Sequence, residues 1–62
     1  MSDDRLLTAD EVAGRLKIGR TMVYELLEHG ELPSIKIGRC RRIPASAVDT
    51  FIQRKLKEAA DA

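Results

Sequence analysis

The sequence predicts one small, mainly α-helical domain that carries a single β-hairpin, with its elements in the order α-α-β-β-α. Three observations predict it: two amphipathic helical segments lie about three residues apart, an alternation of isoleucine and lysine leads into a glycine turn, and a third amphipathic segment follows a proline. The chain has 62 residues, which is near the lower limit for independent folding and leaves little room for a deep catalytic cleft.

The first helix is predicted from its start signals. Thr8 and Glu11 have the spacing of a capping box, in which each side chain binds the backbone N–H of the other residue. Leu7 and Val12 occupy the positions of a hydrophobic staple around this cap. We expect the helix to end near Lys17, with Ile18 as a buried residue in the short turn that follows.

The second helix is predicted from Arg20 onward, with Gly19 as its N-cap. Its apolar face consists of Val23, Leu26 and Leu27. The pair His29-Gly30 is expected to close it, because glycine readily adopts the left-handed conformation found at helix C-termini. Two helices joined by so short a connection form the helix-turn-helix pattern.

The predicted hairpin spans residues 35–43, and we call it the wing. Ile35 and Ile37 alternate with Lys36, which is typical of a short strand with one buried face. Residues 38–41 are expected to form the tip, and the return strand follows.

A third helix is predicted after the wing. Pro44 suits its first turn, since proline is tolerated there. Its apolar stripe consists of Val48, Phe51, Ile52 and Leu56. The folded domain is therefore expected to cover residues 6–57, with a flexible N-terminus at residues 1–5 and a frayed tail at residues 58–62.

Composition excludes several classes of function. Apolar residues make up 44% of the chain and charged residues 34%, which is ordinary for a folded soluble domain. A single cysteine, Cys40, excludes an internal disulfide, and with a single histidine, His29, no metal or cofactor site is expected. No nucleophile is paired with a base, so we predict no catalytic residue and no enzymatic activity. Since no apolar run approaches the ~20 residues that span a bilayer and the acidic N-terminus is unlike a signal peptide, we expect a cytoplasmic protein without a membrane partner.

The net charge of +1 conceals a local asymmetry. Residues 1–14 carry a balance of −3, residues 15–43 carry seven basic and three acidic side chains, and residues 44–62 are neutral. Local fields decide where a polyanion docks, so the middle of the chain is the predicted contact with a nucleic acid. One tyrosine and one phenylalanine provide no stacking platform for single-stranded bases, which favours double-stranded DNA.

Several short segments, spread over almost the whole chain, carry a resemblance to a known family. They are Leu7-Thr8, Val12-Ala13, Val23-Tyr24, Gly30-Glu31-Leu32-Pro33, Ile37-Gly38-Arg39 and Arg42-Ile43-Pro44. With these segments, roughly residues 6–56 resemble the excisionase family, whose winged helix-turn-helix domains are related to the DNA-binding domains of MerR-like regulators. The chain departs from this family at Lys17 and Gly19, where glycine and serine are usual, and at Glu25, where a basic residue is frequent.

The resemblance implies a winged helix-turn-helix fold in which the second helix enters the major groove of DNA and the wing meets the neighbouring backbone or minor groove. Physical considerations agree, since an α-helix fits the major groove and a small arginine-rich loop suits a narrow groove of negative potential. The candidate contacts on the second helix are Arg20, Thr21, Tyr24 and Glu25. Those on the wing are Lys36, Arg39, Arg41 and Arg42, and Lys17 is a weaker candidate for a phosphate contact.

Several of the candidate contacts also have a structural alternative. The wing cations could be a solvated turn that keeps a sheet edge soluble. Tyr24 either gives its hydroxyl to a phosphate or covers the edge of the core, and Glu25 either accepts from cytosine or pairs with a nearby cation.

The favoured functional hypothesis is an excisionase. Such a protein binds double-stranded DNA sequence-specifically and cooperatively, bends the attachment-site DNA, and promotes integrase-mediated excision of a phage or mobile element. The expected partners are therefore DNA, an integrase (a site-specific recombinase) and other copies of the chain arranged head-to-tail on DNA, with a monomer when free. Two alternatives remain open: a small prophage- or plasmid-type transcriptional regulator, and a protein-interaction module that docks on an integrase or a toxin.

Overall fold

Six elements of secondary structure form the domain in the computed structural model, which describes residues 5–61. In chain order they are β1 (Leu6–Leu7), α1 (Ala9–Leu16), α2 (Arg20–Glu28), β2 (Ile35–Ile37), β3 (Cys40–Pro44) and α3 (Ala45–Asp61). The predicted order α-α-β-β-α is confirmed, with the two-residue β1 added in front. The predicted flexible N-terminus, apart from Arg5, lies outside the described residues, as does residue 62. Residues 58–61 belong to α3, and their fraying stays a prediction.

The predicted capping box starts α1. The backbone N–H of Thr8 donates to Glu11 Oε1 over 2.9 Å, and the backbone N–H of Glu11 donates to Thr8 Oγ1 over 3.1 Å. Leu7 and Val12, the two residues of the proposed staple, are both buried. Local sequence signals therefore fix the start of α1 and the direction in which the chain enters it.

A lysine in left-handed conformation ends α1. Lys17 has φ 59° and ψ 42°, and the N–H of Ile18 donates back to the carbonyl of Ala13 over 3.1 Å. This closure reverses the chain within a few residues, so that Gly19 can cap α2. Most residues with a Cβ avoid this conformation, so Lys17 carries a backbone strain that glycine would not.

The end of α2 has the same type of closure, with glycine in the left-handed position. Gly30 has φ 75°, and its N–H donates to the carbonyl of Leu27 over 3.2 Å. The N–H of Glu31 donates to the carbonyl of Leu26 over 2.9 Å, which completes a Schellman motif. The predicted helix end at His29-Gly30 is thus confirmed.

The three strands form an antiparallel sheet in the order β1-β3-β2. In the wing, Ile35 pairs with Arg42, Lys36 with Arg41, and Ile37 with Cys40. Only Gly38 and Arg39 lie between the strands, so the tip is narrower than the predicted residues 38–41. Gly38 has φ 59° and Arg39 does not have a positive φ, as in a type II′ hairpin turn with glycine first.

The core lies between the helices and β3. Its buried members are Leu7, Val12, Ala13, Val23, Leu32, Ile43, Ala45 and Val48. Leu16, Ile18, Leu26, Leu27, Phe51 and Ile52 are partly buried against them. Because β1 pairs with β3 directly in front of α1, the sheet ties the start of the helix-turn-helix to the base of the wing.

Several predictions about the second half of the chain are wrong. Ile35 and Ile37 are 45% and 53% exposed, because β2 is an edge strand that pairs with β3 and all three of its residues are exposed. Leu56 lies on the predicted apolar stripe beside Phe51 and Ile52, but it is 59% exposed. Pro44 is the last residue of β3 and precedes α3, so it does not occupy the first turn of that helix.

Cations of α3 hold the loop that follows α2. Arg54 Nη2 donates to the backbone carbonyl of Glu31 over 3.3 Å, and Lys55 Nζ lies 3.4 Å from Glu31 Oε1. The same two cations lie 5.7 and 5.6 Å from the centroid of the Phe51 ring. These basic groups of α3 are therefore engaged within the domain.

Candidate nucleic-acid interface

A groove of about 500 Å³ opens between α2 and the wing. The residues that line it are Thr8, Ala9, Asp10, Arg20, Tyr24, Leu27, Arg39, Cys40, Arg41, Arg42 and Ile43. Four arginines and one aspartate are among them, which leaves three formal positive charges in excess. The chain is nearly neutral overall, so its positive field is concentrated where a helix and a hairpin meet.

On the helix side, the groove begins at the N-terminus of α2. Arg20 is the first residue of that helix, and Gly19 caps it without a side chain, so the first backbone N–H groups are left open to an anion. Tyr24 follows one turn later on the same side and is 49% exposed. Half exposure leaves the ring in contact with the domain and makes it accessible to a ligand, so both roles considered for Tyr24 stay open.

On the wing side, the geometry of the hairpin distributes the arginines. Arg39 occupies the turn, where the left-handed Gly38 places it at the extremity of the wing. Arg41 lies in β3 opposite Lys36. The Nη1 group of Arg42 donates to the carbonyl of Arg41 over 3.0 Å, which holds that side chain along the strand. Arg39 and Arg41 are exposed and Arg42 is half-buried.

The other predicted contacts lie outside the groove lining. Thr21 and Glu25 each follow a groove residue and point about 100° further around α2, on its exposed surface. Lys17 is exposed in the turn before α2, and Lys36 is exposed on the wing. The structure thus brings together Arg20, Tyr24, Arg39, Arg41 and Arg42. The DNA contacts of all nine candidates stay predictions.

Sequence reasoning missed one charged residue of the groove, Asp10. Its Oδ1 lies 3.2 Å from Nε of Arg20, and both side chains are largely exposed. The signal for it was weak, because an acidic residue in the first turn of a helix is explained by the helix dipole alone. The capping box uses Thr8 and Glu11, however, so Asp10 had no local partner in the sequence.

Comparison with known proteins decides the family. A family model described as a helix-turn-helix domain matches residues 6–56, which include all of the groove. The chain is also 54% identical over 54 residues to a protein named "Excisionase" from Streptomyces ambofaciens, a match that covers 87% of each chain. The chain belongs to the excisionase family.

A second relative is also similar to this chain, and it is the longer of the two proteins. This excisionase-family chain is 45% identical over 53 residues to a "Probable excisionase" from Saccharopolyspora erythraea, covering 86% of the chain and 54% of that relative. No solved structure matches the chain. The family consists of DNA-binding helix-turn-helix proteins that are not enzymes, so the prediction of a non-enzymatic protein is confirmed.

Two further features of this excisionase-family domain are the character of its helices and its cysteine. Within residues 5–61, none of the helices has the length and apolar character that crossing a membrane requires. Cys40 is a free, exposed thiol at the edge of the groove.

Proposed function

We propose that the protein is an excisionase that binds double-stranded DNA sequence-specifically, using α2 as the recognition helix and the wing as a second contact. It binds attachment-site DNA cooperatively, bends it, and so promotes integrase-mediated excision of a phage or mobile element. We expect it to act in the cytoplasm of a prokaryotic cell and to be monomeric when free.

The observation that carries this proposal is the shared groove of Arg20, Tyr24 and the three wing arginines. A major groove about 12 Å wide admits an α-helix, and recognition helices contact base edges with their N-terminal residues. Arg20 holds that position in α2. The wing then meets the adjacent backbone or minor groove, where arginine is favoured by the negative potential.

The salt dependence of binding tests the role of the wing. For B-DNA, log K against log salt concentration has a slope of about −0.9 for each phosphate contact. We expect Arg39→Ala/Arg41→Ala to weaken duplex binding and to flatten this slope by about two units, measured by fluorescence anisotropy of a labelled duplex.

The matched control is Arg15→Ala/Lys57→Ala, which removes the same charge at two exposed positions, on α1 and α3, outside the groove. This control is expected to change the slope by much less than the wing variant. If both double variants change the slope equally, the cations of the groove contribute no more to DNA binding than cations elsewhere on the surface. If the wing variant binds duplex as tightly as the wild type, the domain is better explained as a protein-interaction module.

Bending explains why we expect several copies on one site. Smoothly bending a 20–30 bp site costs about 1–6 kcal/mol, and one domain with few phosphate contacts offsets only part of that cost. Copies bound head-to-tail on repeated sites would add a helix and a wing each. We therefore expect a cooperative titration on duplexes with two sites, and a bend that appears in circularly permuted probes when both sites are filled.

Excision itself is tested with the cognate recombinase and a substrate that carries both attachment sites. The protein is expected to raise the yield of excised circle, and Arg39→Ala/Arg41→Ala to reduce it in proportion to the loss of DNA binding. Repression or activation of a reporter in the absence of any integrase, without an effect on excision, would favour the transcriptional regulator instead.

A further inference from the structure

We infer that Asp10, a residue of α1, sets the DNA sequence specificity of this domain by positioning Arg20. This inference rests on the proposed function, because it concerns how the recognition helix reads bases. It assigns a role to a residue outside α2 and outside the wing.

The first observation is the geometry of the pair. Asp10 Oδ1 lies 3.2 Å from Nε of Arg20, so the carboxylate contacts the side of the guanidinium. A guanidinium held through Nε keeps its two terminal amino groups for another partner. A fork of two parallel N–H donors is what the O6 and N7 acceptors of guanine accept in the major groove.

The second observation is that α1 draws on Asp10 for nothing more than the favourable charge of an acid in its first turn. In the described part of α1, the reciprocal cap is made by Thr8 and Glu11, and Asp10 does not take part in it. Asp10 instead lines the groove together with Arg20 and the wing arginines. An acidic side chain at that place repels phosphate and lowers the positive field, which a site selected only for affinity would avoid.

The carboxylate of Asp10 increases specificity in two ways, by orienting the arginine and by repelling phosphate. A pre-oriented arginine loses less rotamer freedom when it binds the correct base, which favours the specific complex. The negative charge disfavours phosphate-only contacts, which dominate non-specific binding. In water the exposed pair is weak, but expulsion of solvent at a DNA interface lowers the local dielectric and strengthens it where it acts.

The test compares wild type, Asp10→Asn, Arg20→Ala and the double variant on two probes. The specific probe is the duplex that wild-type protein enriches from a random library, and the non-specific probe is a mixed-sequence duplex of equal length. We expect Asp10→Asn to lower the ratio of specific to non-specific affinity by about tenfold, within the ~5- to 150-fold discrimination that one bidentate arginine–guanine contact provides. Non-specific binding by this variant should become tighter.

Two comparisons separate positioning from a general charge effect. Asp49→Asn removes the same charge from an exposed residue of α3 that does not line the groove, and it should leave the affinity ratio unchanged. The double variant should bind the specific probe no more weakly than Arg20→Ala alone, because Asp10 acts on that complex through Arg20. The tighter non-specific binding follows from the lost charge of Asp10 itself and should persist in the double variant. Because exposed ion pairs contribute little to stability, all variants should fold, which thermal melts monitored by circular dichroism will check.

The experiment distinguishes failure of the proposed function from failure of the role inferred for Asp10. If wild type enriches no sequence, the proposed sequence-specific function fails and this inference fails with it. If wild type enriches a sequence but Asp10→Asn keeps the full affinity ratio, or if the losses of affinity for the specific probe in Asp10→Asn and Arg20→Ala add, the positioning role of Asp10 alone is overturned.

Discussion

The lysine that ends α1 provides the sharpest test of how this sequence produces this fold, because changing it separates stability from binding. Lys17 adopts φ 59°, whereas Gly30 adopts the equivalent conformation at the end of α2. A residue with a Cβ loses about 1–2 kcal/mol in the left-handed region, while glycine loses roughly 0.5–1 kcal/mol more backbone entropy on folding. Lys17→Gly should therefore raise the free energy of unfolding by about 0.5–1 kcal/mol.

For a domain of this size, 1 kcal/mol shifts Tm by about 4–8 °C, so we expect Lys17→Gly to raise Tm by about 2–8 °C in a thermal melt. Because the Lys17 side chain is exposed, its removal leaves no cavity in the core. Lys17→Ala is the matched control: it removes the same charge but keeps the Cβ, so its Tm should stay near that of wild type.

The same two variants test whether Lys17 contacts DNA. If Lys17 contacts a phosphate, both should weaken duplex binding and flatten the salt slope by about 0.9. Equal Tm values for Lys17→Gly and Lys17→Ala would refute the assignment of backbone strain to this turn. An unchanged salt slope in both would remove Lys17 from the interface and leave the stability result intact.

Two further predictions concern the helix cap and the core. Thr8→Ala removes the hydroxyl that accepts from the Glu11 N–H, and it should lower the free energy of unfolding by about 1 kcal/mol in chemical denaturation, with the exposed Thr50→Ala on α3 as the control. A loss no larger than that of Thr50→Ala would mean that the cap does not stabilise the fold. Ile43→Val should cost about 0.5–1.5 kcal/mol because Ile43 is fully buried, whereas Ile37→Val on the solvent-exposed wing strand should cost almost nothing. Similar losses for the two isoleucines would show that the wing face is covered in solution.

The helices were predictable because their signals are local. The Thr8 and Glu11 pair lies within one turn of chain, and Gly30 ends α2 through its own backbone conformation. Such signals depend on residues three or four positions apart, so the sequence contains both partners side by side. The concentration of arginines on the wing was likewise evident from the sequence, because these residues lie close together along the chain.

The errors concern burial and pairing between distant residues. The alternation of Ile35 and Ile37 predicts a strand, but whether its apolar face is buried depends on whether a distant element packs against it, and all three residues of β2 are exposed. Strand β1 was missed because two leucines give no period, and it exists only by pairing with residues 43 and 44. Leu56 follows the helical stripe, but the core ends before it.

By itself, the amino-acid sequence determined where the helices begin and end, where the chain turns, and which segment is cationic, because short-range hydrogen bonds and backbone preferences fix these features. Only the tertiary structure decided that Arg20 and the wing arginines share one groove and that Asp10 lies within ion-pair distance of Arg20. The physical reason is that these contacts join residues that are separated along the chain, and packing of the helices against β3 is what brings them within reach of each other.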